Sequence, residues 1–155
     1  VRERIRITID TREQAPWHFP EELAEVEVGT LRTGDYALTG DAGFALERKS
    51  LDDFLGTIGT GWARFCREIG RMDAAGFPAK VIVVEGDFAS VCFAKDGDDV
   101  VPPQHRHPLM TPQFVVKRLA ELTMMGVAVL FCGNSDYAAG VAFQILKERD
   151  NDFEG

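Results

Sequence analysis

The sequence predicts an α/β protein, a sandwich with helices on both faces of a mixed central sheet. Three observations predict it. Residues 34–49 read as two strands joined by a tight turn. Val81-Ile82-Val83-Val84 and Val127–Phe131 are short, wholly apolar runs, the pattern of parallel strands covered on both faces. Segments with helical spacing lie between and after these runs, so the alternation calls for helices above and below the sheet.

The elements follow in order. Over Arg4–Asp10, Ile5, Ile7 and Ile9 alternate with Arg6, Thr8 and Asp10, which gives a strand with one covered face. Gln14–Glu22 carries Pro16 and Pro20 and reads as a loop. Its Trp17, His18 and Phe19 suit the edge of a core better than a base-stacking surface. Val26, Val28 and Leu31 continue as an extended segment. Thr39-Gly40-Asp41-Ala42-Gly43 supplies the glycines and aspartate of a hairpin turn. Ser50 is a natural helix cap, and Leu51, Phe54, Leu55 and Ile58 mark a buried face that Gly56, Gly59 and Gly61 interrupt. Helical spacing resumes over Trp62–Met72, with Trp62, Phe65, Cys66, Ile69 and Met72 inward. Val81–Val84 and Val127–Phe131 are expected as central strands. Lys95–Met110 is polar and reads as a long loop. Thr111-Pro112 opens a helix with Val115, Leu119, Leu122 and Met125 inward. The last helix starts near Asn134-Ser135-Asp136 and is expected to pack through Tyr137, Val141, Ile145 and Leu146. Residues 148–155 read as a frayed tail.

At 155 residues the chain fits one domain, 1–155, with room for a sizeable core. Forty-five per cent hydrophobic residues suit a globular protein, no apolar run reaches the roughly 18 residues of a membrane span, and no signal-peptide pattern opens it. The three cysteines, Cys66, Cys92 and Cys132, are scattered, as thiols in a reducing cytoplasm are. A net charge of -8 argues against a protein that coats nucleic acid nonspecifically. It leaves metal chemistry open, because bound cations cancel a cluster of carboxylates.

The chemistry concentrates in the hairpin. Centred on Asp41, it sets Asp35 opposite Glu47 and Tyr36 opposite Leu46. Alternation then puts Glu47 and Lys49 on one face and Leu46 and Arg48 on the other. Opposed carboxylates about 5 Å apart at Cβ destabilise a sheet unless a cation lies between them. The plainer alternative is an exposed, charged hairpin. Asp10, at the end of the first strand, is either a turn former or an acid reaching the same site. Asp53 is explained by helix capping and kept as a supporting residue. Arg64, Arg67 and Arg71 form a basic stripe, by default a solvated face, that is also suited to phosphates. His105 and His107 have no third partner at zinc spacing. Arg106 between them belongs to a loop suited to touching DNA.

Gly34-Asp35, Glu47-Arg48-Lys49 and Asp53 resemble the signature of the XPF-type structure-specific DNA nucleases. The resemblance extends to Ile9-Asp10-Thr11-Arg12-Glu13, to Ser50 through Arg71, to Val84-Glu85-Gly86 and to the helix at Thr111-Pro112. It implies a compact restriction-endonuclease-like fold and metal-dependent hydrolysis of DNA phosphodiesters. Asp35 and Glu47 are then metal ligands, with Asp10 a third ligand or outer-shell acid. Lys49 orients water or stabilises developing charge, and Arg48 braces the site from behind with Arg12 or Glu13. Magnesium suits all-oxygen ligation, and manganese substitutes. The resemblance also implies branched or junction-containing DNA as substrate, a role in repair or recombination, and a homodimer through outer helices. No helix-hairpin-helix domain is recognisable, so a DNA-binding domain or partner supplied elsewhere is expected. The alternatives are a catalytically silent scaffold of the same fold and, less well supported, a hydrolase of small phosphoesters, which the lack of a glycine-rich phosphate loop disfavours.

Overall fold

The computed structural model describes residues 3–76, 79–92, 94–96, 99–101 and 110–154. Arg106 and its flanking histidines lie outside the described residues. In chain order the elements are β1 (Ile5–Asp10), β2 (Ala24–Gly29), β3 (Tyr36–Leu38), β4 (Phe44–Ser50), α1 (Leu51–Ile58), α2 (Trp62–Ala74), β5 (Ala79–Glu85), α3 (Phe88–Cys92), β6 (Ala94–Asp96), β7 (Asp99–Val101), α4 (Pro112–Met124), β8 (Val127–Phe131) and α5 (Ser135–Glu154).

Six strands form one sheet in the order β2-β1-β3-β4-β5-β8. The pairs β1–β3 and β3–β4 are antiparallel, while β1–β2, β4–β5 and β5–β8 are parallel. α5 covers one face, burying Ala138, Ala142 and Leu146 with Ile7, Tyr36, Leu46 and Val83. α1 to α4 cover the other, where Phe54, Ile58, Phe65, Val91, Val115 and Leu122 pack with Ile82 and Val84. The three-layer α/β/α sandwich around a mixed sheet is therefore the architecture of this chain.

The hairpin has the expected register, with Tyr36 opposite Leu46. Its turn is held by Asp41 N–H donating to the Leu38 carbonyl and Gly43 N–H to the Asp41 carboxylate. Gly40 takes the positive φ of +84° that such a turn needs. Ser50 caps α1 by accepting from Asp53 N–H at 3.1 Å, and Thr111 caps α4 by accepting from Phe114 N–H. Trp17 and Phe19 are buried and His18 is exposed, so the loop's large rings cap the core.

Four expectations need correction. β8 is an edge strand with Ala128 and Leu130 exposed, because an apolar run reads alike at the centre or the rim of a sheet. Lys95–Met110 is not simply a loop: β6 pairs with β7 as a separate hairpin. α5 turns Ala138, Ala142 and Leu146 inward and leaves Tyr137 and Val141 exposed. Small side chains let the helix approach the sheet closely, and a reading that favours bulky residues puts the seam one position too early. The expected frayed tail is helical through Glu154, and Arg149 ties it to the hairpin turn by donating from Nε to Asp41 Oδ2 at 2.9 Å.

Candidate active site

Gly34 sets the site's entry. Its φ is +80°, and a Cβ there would lie 2.6 Å from Ala45 Cβ and 3.0 Å from the Leu46 carbonyl oxygen. Only glycine lets the chain turn this close to β4 and deliver the next residue, Asp35.

Asp35 is held between β1 and β4 by three hydrogen bonds. Its N–H donates to the Leu46 carbonyl (2.8 Å), its carbonyl accepts from Asp10 N–H (2.9 Å), and its Oδ2 accepts from Arg48 N–H (2.8 Å). Burial pushes the carboxyl up to about 6, with Glu13 and Glu47 adding to the rise and Arg48 N–H and Lys49 opposing it. Glu47 and Lys49 share one face of β4 and pair at 3.2 Å. Both border an open groove of about 490 Å³ that continues past Asp52, Asp53, Thr57, Thr60, Arg64 and Glu68.

Asp10 stands differently. Its side chain is fully buried; Oδ1 accepts from Leu31 N–H (2.9 Å), and Oδ2 accepts from Arg12 N–H (3.2 Å) and Arg12 Nε (2.7 Å). The guanidinium beside it holds the carboxyl below the usual range, against burial. Both Asp10 oxygens thus already accept hydrogen bonds within the protein, which disfavours the expected role of a third ligand.

Arg48 points to the α5 face, as strand alternation requires. Its Nη1 reaches Glu13 Oε2 (3.2 Å) and the Ala15 carbonyl (2.7 Å), its Nε donates to Glu85 Oε1, and its guanidinium lies 5.0 Å over the Trp17 ring. The bracing partner is therefore Glu13, while Arg12 belongs to Asp10. Glu85 and Tyr36 join this network without having been singled out as site residues. The available signal was a charged residue closing the apolar run Val81–Val84. Of the arginine stripe, all three side chains are exposed, but only Arg64 borders the groove, where it pairs with Glu68 at 3.4 Å.

Among the described residues no three His, Cys, Asp or Glu side chains lie close enough to hold a metal ion together. Glu47 is near enough to Asp35 for its charge to add to the rise of the Asp35 carboxyl. That donor set fits magnesium, which takes one or two carboxylates, keeps several waters and completes its shell with substrate phosphate.

The fold and these residues define a class, a restriction-endonuclease-like α/β domain with Glu47 and Lys49 bordering a groove and a partly desolvated Asp35 near them. Residues 9–145 match the ERCC4 domain, and the chain belongs to that family. Twelve solved chains match it in fold. One is XPF from Aeropyrum pernix, with a TM-score of 0.62 and 20% sequence identity over 94% of this chain and 65% of that one. No curated protein matches the sequence.

Proposed function

We propose that this domain is a divalent-metal-dependent endodeoxyribonuclease acting on branched or junction-containing DNA in repair or recombination. The observation that carries the reading is Asp35: a carboxyl pushed up to about 6 by burial, beside Glu47 and Lys49 at the mouth of an open groove. A charge held at such cost marks functional sites. The ERCC4 match and the likeness to XPF support the same activity.

Asp35 and Glu47 would hold a magnesium ion, for which manganese substitutes. When bound, the ion lowers the pKa of water and neutralises charge on the phosphate. Lys49, kept beside Glu47, presents an ammonium that orients the attacking water and stabilises charge developing on the phosphate oxygens. Asp10 fixes Arg12, whose charge interacts with Asp35, and Asp53 shapes the groove's wall from the first turn of α1. Arg48 and Glu13 hold β4 from behind. Arg64 is placed to meet a phosphate along the groove. The same reading gives a cytoplasmic homodimer through outer helices, for which exposed Tyr137 and Val141 of α5 supply apolar area. No helix among the described residues is long and apolar enough to cross a membrane.

The test is cleavage of labelled fork and flap DNA with Mg²⁺, Mn²⁺ or EDTA. Cleavage is expected with either metal, none with EDTA, and a loss of about 10²-fold or more in Asp35→Ala, Glu47→Ala and Lys49→Ala. Binding without cleavage under every metal condition would assign the silent scaffold instead.

A further inference from the structure

Behind the acidic pair lies a second cluster of charge. Glu85 Oε1 accepts from two donors, Trp17 Nε1 at 2.7 Å and Arg48 Nε. Trp17 N–H donates to the Tyr36 hydroxyl (2.9 Å), which donates to Glu13 (2.9 Å). Trp17 and Tyr36 stack with ring centroids 4.5 Å apart. Burial pushes the Tyr36 phenol up to about 12, so it remains a donor. The loop after β1, β3, β4 and β5 thus close around one guanidinium.

This cluster meets the site in a single residue. Arg48 sends its side chain into the network and its N–H to Asp35 Oδ2 at 2.8 Å on the way to the groove. Glu47 and Lys49 flank it on the strand. Any roll of β4 that moves the guanidinium also moves that N–H and the two groove-facing side chains, because the strand alternates about one axis. Glu85 ends β5, where the parallel register places it beside Ser50, so it anchors this lever at the carboxyl end of both strands.

We infer that Glu85 is a positioning residue. By fixing Arg48 it sets the orientation of the Asp35 carboxylate and the pitch at which β4 presents Glu47 and Lys49 to a divalent cation. The inference rests on the metal-dependent reading above, and one of its two readouts is independent of metal.

Three variants test it: Glu85→Ala, Glu85→Gln and Trp17→Phe. The first readout is Mn²⁺ affinity by isothermal titration of the folded proteins. Glu85→Ala should weaken it about tenfold, the usual scale for losing an outer-shell partner. Glu85→Gln keeps an oxygen acceptor for both donors and should stay within about threefold of wild type. Trp17→Phe keeps the ring over Arg48 but removes one donor to Glu85, and should fall between them.

The second readout is amide hydrogen exchange in metal-free protein. The Arg48 amide should exchange about tenfold faster in Glu85→Ala, with the central amides of β5 unchanged, whereas a purely structural loss speeds both together. Wild-type Mn²⁺ affinity and Arg48 protection in a folded Glu85→Ala protein would overturn the inference. If Glu85→Ala does not fold, unchanged affinity and Arg48 exchange in Trp17→Phe overturn it equally. A wild-type protein that binds no Mn²⁺ at millimolar concentration defeats the metal-dependent reading, and the exchange result then decides the role of Glu85 alone.

Discussion

The two faces of β4 carry the same kinds of residue and use them in opposite ways. Toward α5, Arg48 is surrounded by Glu13, Glu85, Tyr36 and Trp17, and its hydrogen-bonding groups are directed into the protein. Toward the groove, Glu47 and Lys49 have each other at 3.2 Å and open space beyond, with a partly desolvated Asp35 alongside. The back face spends charge on fixing geometry. The front face withholds it, leaving carboxylate oxygens and an ammonium for something that arrives.

The largest effect should separate stability from chemistry. Arg48→Met leaves the partly buried Glu13 and Glu85 without their cation and should cost about 3 kcal/mol of unfolding free energy, read by urea denaturation. Lys49→Met removes a single ion pair, with Glu47, rather than a network of bonds, and should cost less, about 1–2 kcal/mol. Similar losses from the two substitutions would erase the distinction between the faces.

A smaller effect comes from Asp35. Its folded pKa, about 6, lies above the ordinary carboxylate value. The sign follows: below the unfolded pKa both states are protonated and the carboxyl costs nothing. Stability is then lost as pH rises through 6, because the folded state holds its proton more tightly. Asp35→Asn should therefore stabilise the protein at pH 7 by about 2 kcal/mol, allowing for partial solvation, and by nothing at pH 3.5. The same shift makes protons compete with a cation, so Mn²⁺ affinity should fall as pH drops below about 6. Denaturation of both proteins at the two pH values, with titration calorimetry of the wild type, checks the pair.

The smallest concerns the arginine stripe. Arg64→Ala should weaken DNA binding several-fold and lower the salt slope by about one, while Arg67→Ala and Arg71→Ala should change little. Fluorescence anisotropy over a salt series distinguishes them. Equal effects at all three would move the DNA path from the groove to the outer face of α2.

Much of the front face was legible in the sequence. The turn at 39–43 fixes the register, alternation assigns Glu47 and Lys49 to one side, and the two apolar runs read as parallel strands, β5 and β8, although β8's place at the edge did not show. The back face was less so, because Glu85 and Trp17 are 68 positions apart and nothing local pairs them. Asp10 was ambiguous for a related reason: an acid at a strand end can turn inward to a backbone N–H or outward to a ligand, and the two choices look alike in one dimension. The seam of α5 was misplaced because Ala138 and Ala142 gain their contacts from how near the helix comes, a distance that the residue types do not specify.

Asp35 lies at the entry to β3, bonded to β1 through Asp10 and to β4 through Leu46 and Arg48. Its coordinates are thus dictated by the main chain of a sheet interior rather than by rotamer choice at a surface. Loops around the groove can be lengthened, shortened or recharged without displacing that carboxylate, so substrate preference is open to change at the periphery while the reactive centre stays put.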